Sequence, residues 1–152
     1  MVGDIENILQ NCLVFTAGSL ARTLTKMAEE EFANTGLATS YAFLITIVNS
    51  KNGAYPTEIS EILGLAPSTV TRLIEKLERK KLVRKKVHGK KVEIRPTKKS
   101  KELQELINYS WQNLFARYSE ILGKDESIAF NEKVYKMAEK LKDDFDQRSK
   151  HE

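Results

Sequence analysis

The feature that most limits the fold is a change of hydrophobic period inside residues 56–96. Residues 56–63 place Ile59, Ile62 and Leu63 on one face of a short helix, with Pro56 near its start and Gly64 ending it. Only Leu65 and Ala66 separate it from a second helix, whose first-turn Pro67 loses nothing by lacking an N–H. There Val70, Leu73, Ile74 and Leu77 recur at i, i+3, i+4 and i+7 and must face a core. After Leu82 the period drops from 3.6 to 2. "VRKKV" and "KVEIR" set Val83, Val87, Val92 and Ile94 against alternating charges, with His88-Gly89 at the reversal, which reads as a two-stranded hairpin.

Two short helices joined by a tight Gly-containing turn are the signature of a helix-turn-helix, whose second helix enters the DNA major groove. At 100° per residue, the face opposite the apolar stripe presents Ser68, Arg72, Glu75 and Arg79, with Thr69, Thr71 and Lys76 on its flanks. Arg can grip guanine bidentately, and hydroxyls reach phosphates or bases. The hairpin adds Arg84, Lys86, His88, Lys90, Lys91 and Arg95, and its narrow cationic tip suits phosphates or a minor groove. The charge distribution agrees. Residues 72–101 hold 14 of the chain's 25 basic residues and only 3 of its 21 acidic ones, so the remainder is acidic. One basic block on an acidic chain makes a directed field, and double-stranded DNA is the expected partner.

The rest of the chain reads as helix. Residues 4–33 carry Ile5, Ile8, Leu9 and Cys12, then Leu20, Leu24 and Met27, at helical spacing, and "ANTG" stops them. A buried helix over about 39–50 ends in "NSKNGAYP". Thr97 caps a long helix reaching about 122, with Leu103, Leu106, Ile107, Leu114 and Ile121 apolar and Tyr109, Trp111, Phe115 and Tyr118 adding aromatic bulk. A last helix spans about 126–147, its apolar set being Phe130, Val134, Met137, Leu141 and Phe145. The expected fold is mainly α: a winged helix-turn-helix lobe at 39–96 with a two-stranded β wing. The helical regions 1–34 and 97–152 exceed what one small core covers and are expected to form a homodimerisation platform within a single 152-residue chain.

The longest apolar run, residues 41–48, is far short of the ~20 residues a membrane span needs. The start "MVGDIENILQ" lacks the order of a signal peptide, and a lone Cys12 fits a reducing cytoplasm. A cytoplasmic protein with no membrane partner is expected.

The segment "LGLAPSTVTRLIEKLERKKLVRK" at 63–85, followed by a wing and "PTKKSKEL" at 96–103, resembles the MarR family of bacterial transcriptional regulators. The order of helices and wing is similar over essentially the whole chain. The resemblance implies a homodimer that reads palindromic DNA, commonly represses, and often releases DNA on binding a small aromatic or amphipathic ligand where the first, second and fifth helices meet the DNA-binding lobe. Carried over by position, Pro67, Ser68, Thr69, Thr71 and Arg72 are base-contact candidates, and Lys90 and Lys91 stand where the family has wing arginines. Three departures follow. Ala66 occupies a cap position that favours Ser, Asp or Asn. Lys81 stands at the family's turn glycine, so a side chain is expected at φ > 0. "HGKK" replaces the family's Asp-x-Arg-Arg, so the acid that braces the wing is missing and Lys supplies point charges in place of Arg forks.

"CLVFTAGS" also resembles the start of the family's organic-peroxide-sensing branch, which would make Cys12 a redox residue; as part of the apolar stripe it reads first as a small buried hydrophobe. Two other classes stay open: an architectural DNA-binding protein without sequence preference, and a winged-helix module binding an acidic protein partner. No catalytic constellation is apparent. His88 and His151 lie far in sequence from Cys12, no nucleotide-binding or metalloprotease pattern occurs, and neither enzyme activity, metal nor cofactor is expected.

Overall fold

The computed structural model describes residues 4–150; His151 lies outside them. Two compact units divide at Trp111 and Gln112. The first holds α1 (Ile5–Gln10), α2 (Leu13–Phe32), a 3₁₀ turn (Ala33–Thr35), α3 (Thr39–Lys51), α4 (Pro56–Leu63), α5 (Pro67–Arg79), β1 (Val83–His88), β2 (Lys91–Pro96) and the start of α6 (Lys98–Leu122). The second holds the rest of α6 and α7 (Lys124–Ser149). The fold is mainly helical with one two-stranded antiparallel sheet. No helix among the described residues is long and apolar enough to cross a membrane.

The core of the first unit is built on α3, which packs on α2, α4, α5 and β2. Leu44, Ile45 and Val48 of α3 are buried with Ile59 of α4 and with Val70, Leu73, Ile74 and Leu77 of α5, the four positions the helical period marks. Phe32 is fully buried, its ring edge-on to Trp111 at 4.3 Å, while Phe43 stacks on Trp111 at 4.7 Å. A polar seam joins α3 to α6. Asn49 Nδ2 donates to the Ser100 carbonyl at 3.0 Å and to Gln104 Oε1 at 2.8 Å, and Ser100 Oγ donates to Asn49 Oδ1. Thr97 caps α6 as expected: Ser100 N donates to Thr97 Oγ1, and Thr97 N donates back to Ser100 Oγ.

Five expectations are corrected. The helix expected over 4–33 is broken at Asn11-Cys12. Asn11 Nδ2 donates to the Asn7 carbonyl at 2.8 Å, and Cys12 turns extended to begin α2, so a side chain competing for the backbone ends the first helix. Ile62 does not share the buried face of Ile59; it is 53% exposed, because in eight residues only one turn of α4 meets the core. Val87 is 70% exposed, since the hairpin outruns the body that covers Val83. In α6, Ile121 and Tyr109 are exposed while Ile107 and Leu114 are buried. The last helix starts and ends two residues beyond the expected 126–147. Its apolar residues Phe130, Val134, Met137, Leu141 and Phe145 all face solvent in the single chain.

Candidate nucleic-acid interface

Gly64 ends α4 with a φ of 63°, where Leu65 N donates to the Ser60 carbonyl and Ser60 Oγ donates to the Leu65 carbonyl at 2.6 Å. Two residues later Pro67 starts α5, and Ala66 provides no side-chain cap. Burial of Val70, Leu73, Ile74 and Leu77 leaves Pro67, Ser68, Thr71, Arg72, Glu75, Lys76 and Arg79 exposed, with Thr69 half-buried. The Thr71 hydroxyl donates to the Pro67 carbonyl, which leaves its oxygen lone pairs outward as acceptors. The Lys76 ammonium lies 5.1 Å from the centre of the Tyr41 ring on α3.

At the end of α5 the chain reverses through Lys81 at a φ of 60°, the strained position expected from the missing glycine. Lys81 N donates to the Glu78 carbonyl and Leu82 N to the Leu77 carbonyl, both at 2.9 Å, which closes the helix. The Lys81 carbonyl in turn accepts from Thr97 Oγ1 at 2.8 Å.

The hairpin register sets Arg84 opposite Arg95, Lys86 opposite Glu93 and His88 opposite Lys91. Directly opposed residues point to one face, so five of the six wing candidates lie together, with Lys90 in the turn beside Gly89. Val83, Ile94 and Pro96 occupy the other face and are buried. Beyond its own pairing, β2 bonds to the turn before α4, where Ala54 and Ile94 exchange bonds of 2.9 and 2.8 Å. Lys91 lies 5.7 Å from the centre of the Tyr55 ring, and Lys85 reaches Glu78 of α5 at 3.6 Å.

The expectation that the wing lacks an acidic brace is overturned. Glu93 Oε2 meets His88 Nε2 at 2.7 Å and Arg95 Nε at 3.1 Å, and Arg95 Nη1 donates to the Asn52 carbonyl at 3.3 Å. The His88 hydrogen bond, then Arg95, holds the Glu93 carboxyl below the ordinary carboxylate range against the opposing effect of desolvation. The stability it contributes is therefore present above the ordinary carboxylate range and lost as pH falls through its depressed native value. Arg95 and His88 thus serve the wing's shape as well as its charge. The sequence hid this because the brace sits on β2 and the family pattern places it before the wing arginines. Tyr41 and Tyr55 escaped for the same reason: each meets its lysine across the fold.

Cys12 is half-buried in the break between α1 and α2, outside the α5–wing segment. No three His, Cys, Asp or Glu side chains gather as metal ligands among the described residues. A cleft of about 600 Å³ opens between the 3₁₀ turn, the end of α5 and the start of α6. Leu37, Leu82, Leu103 and Leu106 form its apolar lining, and Lys80, Lys99 and Glu102 its charged rim.

A polar helix face beside a basic two-stranded wing, over a core shared with the preceding helix, defines a winged helix-turn-helix protein. Residues 38–88, about a third of the chain, match the profile of the MarR family. No curated protein matches the sequence. Among solved structures, BpsR of Bordetella bronchiseptica, whose structure concerns regulation of its DNA binding by 6-hydroxynicotinic acid, is 14% identical with a TM-score of 0.78, covering 84% of this chain and 95% of that one. CouR from Rhodococcus jostii RHA1, bound to p-coumaroyl-CoA, is 17% identical with a TM-score of 0.74, covering 86% and 94%. A cysteine-to-serine variant of MarR from E. coli, complexed with operator DNA, is 15% identical with a TM-score of 0.75, covering 82% and 92%. At such identities the likeness is one of fold.

Proposed function

We propose that this chain is a sequence-specific DNA-binding transcriptional regulator, a repressor acting as a homodimer on a palindromic operator. The observation that carries the reading is the sidedness of α5 and the wing: every apolar residue of α5's stripe is buried, while Ser68, Thr71, Arg72 and every wing cation but the half-buried Arg95 are exposed. The start of α5, Pro67 to Arg72, reads base edges. Lys76, Arg84, Lys86, His88, Lys90, Lys91 and Arg95 supply phosphate contacts and most of the salt-dependent affinity. MarR of the same fold is bound to operator DNA.

The homodimer is supported by apolar side chains left uncovered at both ends of the chain, Ile5, Ile8, Leu13 and Val14 near the start and Met137, Leu141 and Phe145 in α7. Uncovered apolar surface of this extent marks an interface. A two-fold dimer sets its recognition helices about 34–36 Å apart and reads half-sites one turn apart. The cleft between the 3₁₀ turn and α6 suits a small amphipathic anion, with leucines for an apolar body and Lys80 and Lys99 for a carboxylate. Lys99 Nζ donates to the Lys80 carbonyl at 3.1 Å. A ligand that drew Lys99 away would bear directly on the end of the recognition helix, a route to release from DNA.

Selection from a random duplex pool at about 0.15 M salt, where weak non-specific contacts lose much of their strength, tests the reading. An enriched palindrome with half-sites one turn apart supports it. Binding without enrichment favours an architectural protein, and no binding points to a protein partner.

A further inference from the structure

Resting on the regulator reading above, we propose that Glu93 is a positioning residue for the wing, and that proton uptake at His88 beside it tightens the wing's hold on DNA. The geometry starts from one carboxylate. Glu93 is the sole acid between Val83 and Pro96. Its Oε2 holds the tip of β1 through His88 at 2.7 Å and the base of β2 through Arg95 at 3.1 Å. Arg95 carries the link to the turn between α3 and α4 through the Asn52 carbonyl. That turn leaves room for the carboxylate only because residue 53 is glycine: a Cβ there would overlap Glu93 Oε1. The brace therefore ties the free end of the hairpin to the helical body.

A carboxylate only accepts hydrogen bonds, so His88 Nε2 carries a hydrogen in either charge state, and a further proton is added at Nδ1. The contact survives protonation, turning from a hydrogen bond into an ion pair. The charged groups around it are cationic: Lys86 and Lys91 opposite on the strands, Lys90 in the turn and Arg95 behind. From the helices and the α3–α4 turn, Tyr55 lies beneath Lys91, and Lys85–Glu78 and Lys51–Glu58 pair with each other. An added proton therefore raises the positive charge of the wing face by one while Glu93 keeps the tip in place. Phosphates favour that state, so binding takes up protons at the wing tip. One proton per wing limits the effect to about tenfold per pH unit.

Two readouts test this on the full chain. In the free protein, the Glu93 carboxyl is titrated by NMR; His88→Ala should move its midpoint upward, and an unmoved midpoint overturns the pairing. Affinity for the duplex enriched from the pool is then measured at pH 6 and pH 8 at fixed salt. Wild type should bind about three- to tenfold more tightly at pH 6. His88→Ala should lose that difference, and His151→Ala should keep it. Glu93→Gln should shrink the difference, with Glu93→Asp restoring part of it. Equal weakening by Glu93→Gln at both pH values would make Glu93 a structural prop only and overturn the proposal. A flat wild-type profile on DNA that does bind overturns it alone; absence of binding at either pH overturns the regulator reading with it.

Discussion

Replacing Lys81 by glycine should stabilise the protein. Lys81 holds a φ of 60°, in the left-handed region that costs a residue with a Cβ roughly 1–2 kcal/mol. The conformation is imposed: the two bonds that close α5 and return the chain to the buried Leu82 and Val83 both need it. Glycine removes that cost but gives the unfolded chain more freedom, worth roughly 0.4–1 kcal/mol in the opposite direction. The Lys81 side chain is exposed, so no packing is lost, and the carbonyl that accepts from Thr97 remains. The net expectation is about 1 kcal/mol of stabilisation, or about 2–4 °C in Tm for a chain of this size. Lys81→Ala removes the same ammonium while keeping the backbone cost, and should lie within about 0.5 kcal/mol of wild type. Urea unfolding of the three proteins, compared at equal m-value, measures the difference. A glycine variant less stable than the alanine variant would refute the assignment of strain to this residue.

Three further outcomes are expected. Arg72→Ala should relax sequence choice at a cost of about 1–3 kcal/mol on the enriched operator; equal loss on operator and random duplex would remove Arg72 from base reading. Lys90→Ala should weaken all sequences alike and reduce the slope of log K against log salt by about one, and an unchanged slope would take it off the phosphates. Leu77, fully buried where α5 meets the core, should lose about 2–5 kcal/mol when cut to alanine. A loss well below that in urea unfolding would mean that α5 is held by other contacts.

Periodicity made the α4–α5–hairpin order legible because each element buries one face against a common core, and burial is what periodicity records. Val70, Leu73, Ile74 and Leu77 are all buried for that reason. The strain at Lys81 was legible too, through the resemblance that places a turn glycine at that position. What the pattern could not show is pairing across the fold. Glu93 reads as one acid in a basic strand until the register brings it to His88 and Arg95. Tyr55 reads as loop until Lys91 is seen over its ring. The break at Asn11-Cys12 was missed for a local reason: a single side-chain amide outcompeted an apolar stripe whose residues Ile5 and Ile8 are exposed.

Gly53 offers a test of the wing brace. Its φ of 131° disfavours any side chain, at a cost of order 1–3 kcal/mol. An added methyl would also overlap Glu93 Oε1 and stand 3.2 Å from Arg95 Cδ. Glu93 is the end of a flexible chain and can swing aside, but only by leaving His88 and Arg95. Gly53→Ala should therefore do two separable things: strain the turn, and release the wing tip in the manner of Glu93→Gln. The two are parted by making the same change in a Glu93→Ala background, where the overlap is gone and the backbone strain remains. If the overlap matters, Gly53→Ala lowers stability less in that background than in wild type, and the two substitutions fail to add. Strict additivity would mean that the turn tolerates the methyl without disturbing Glu93, and that the glycine is there for its backbone alone.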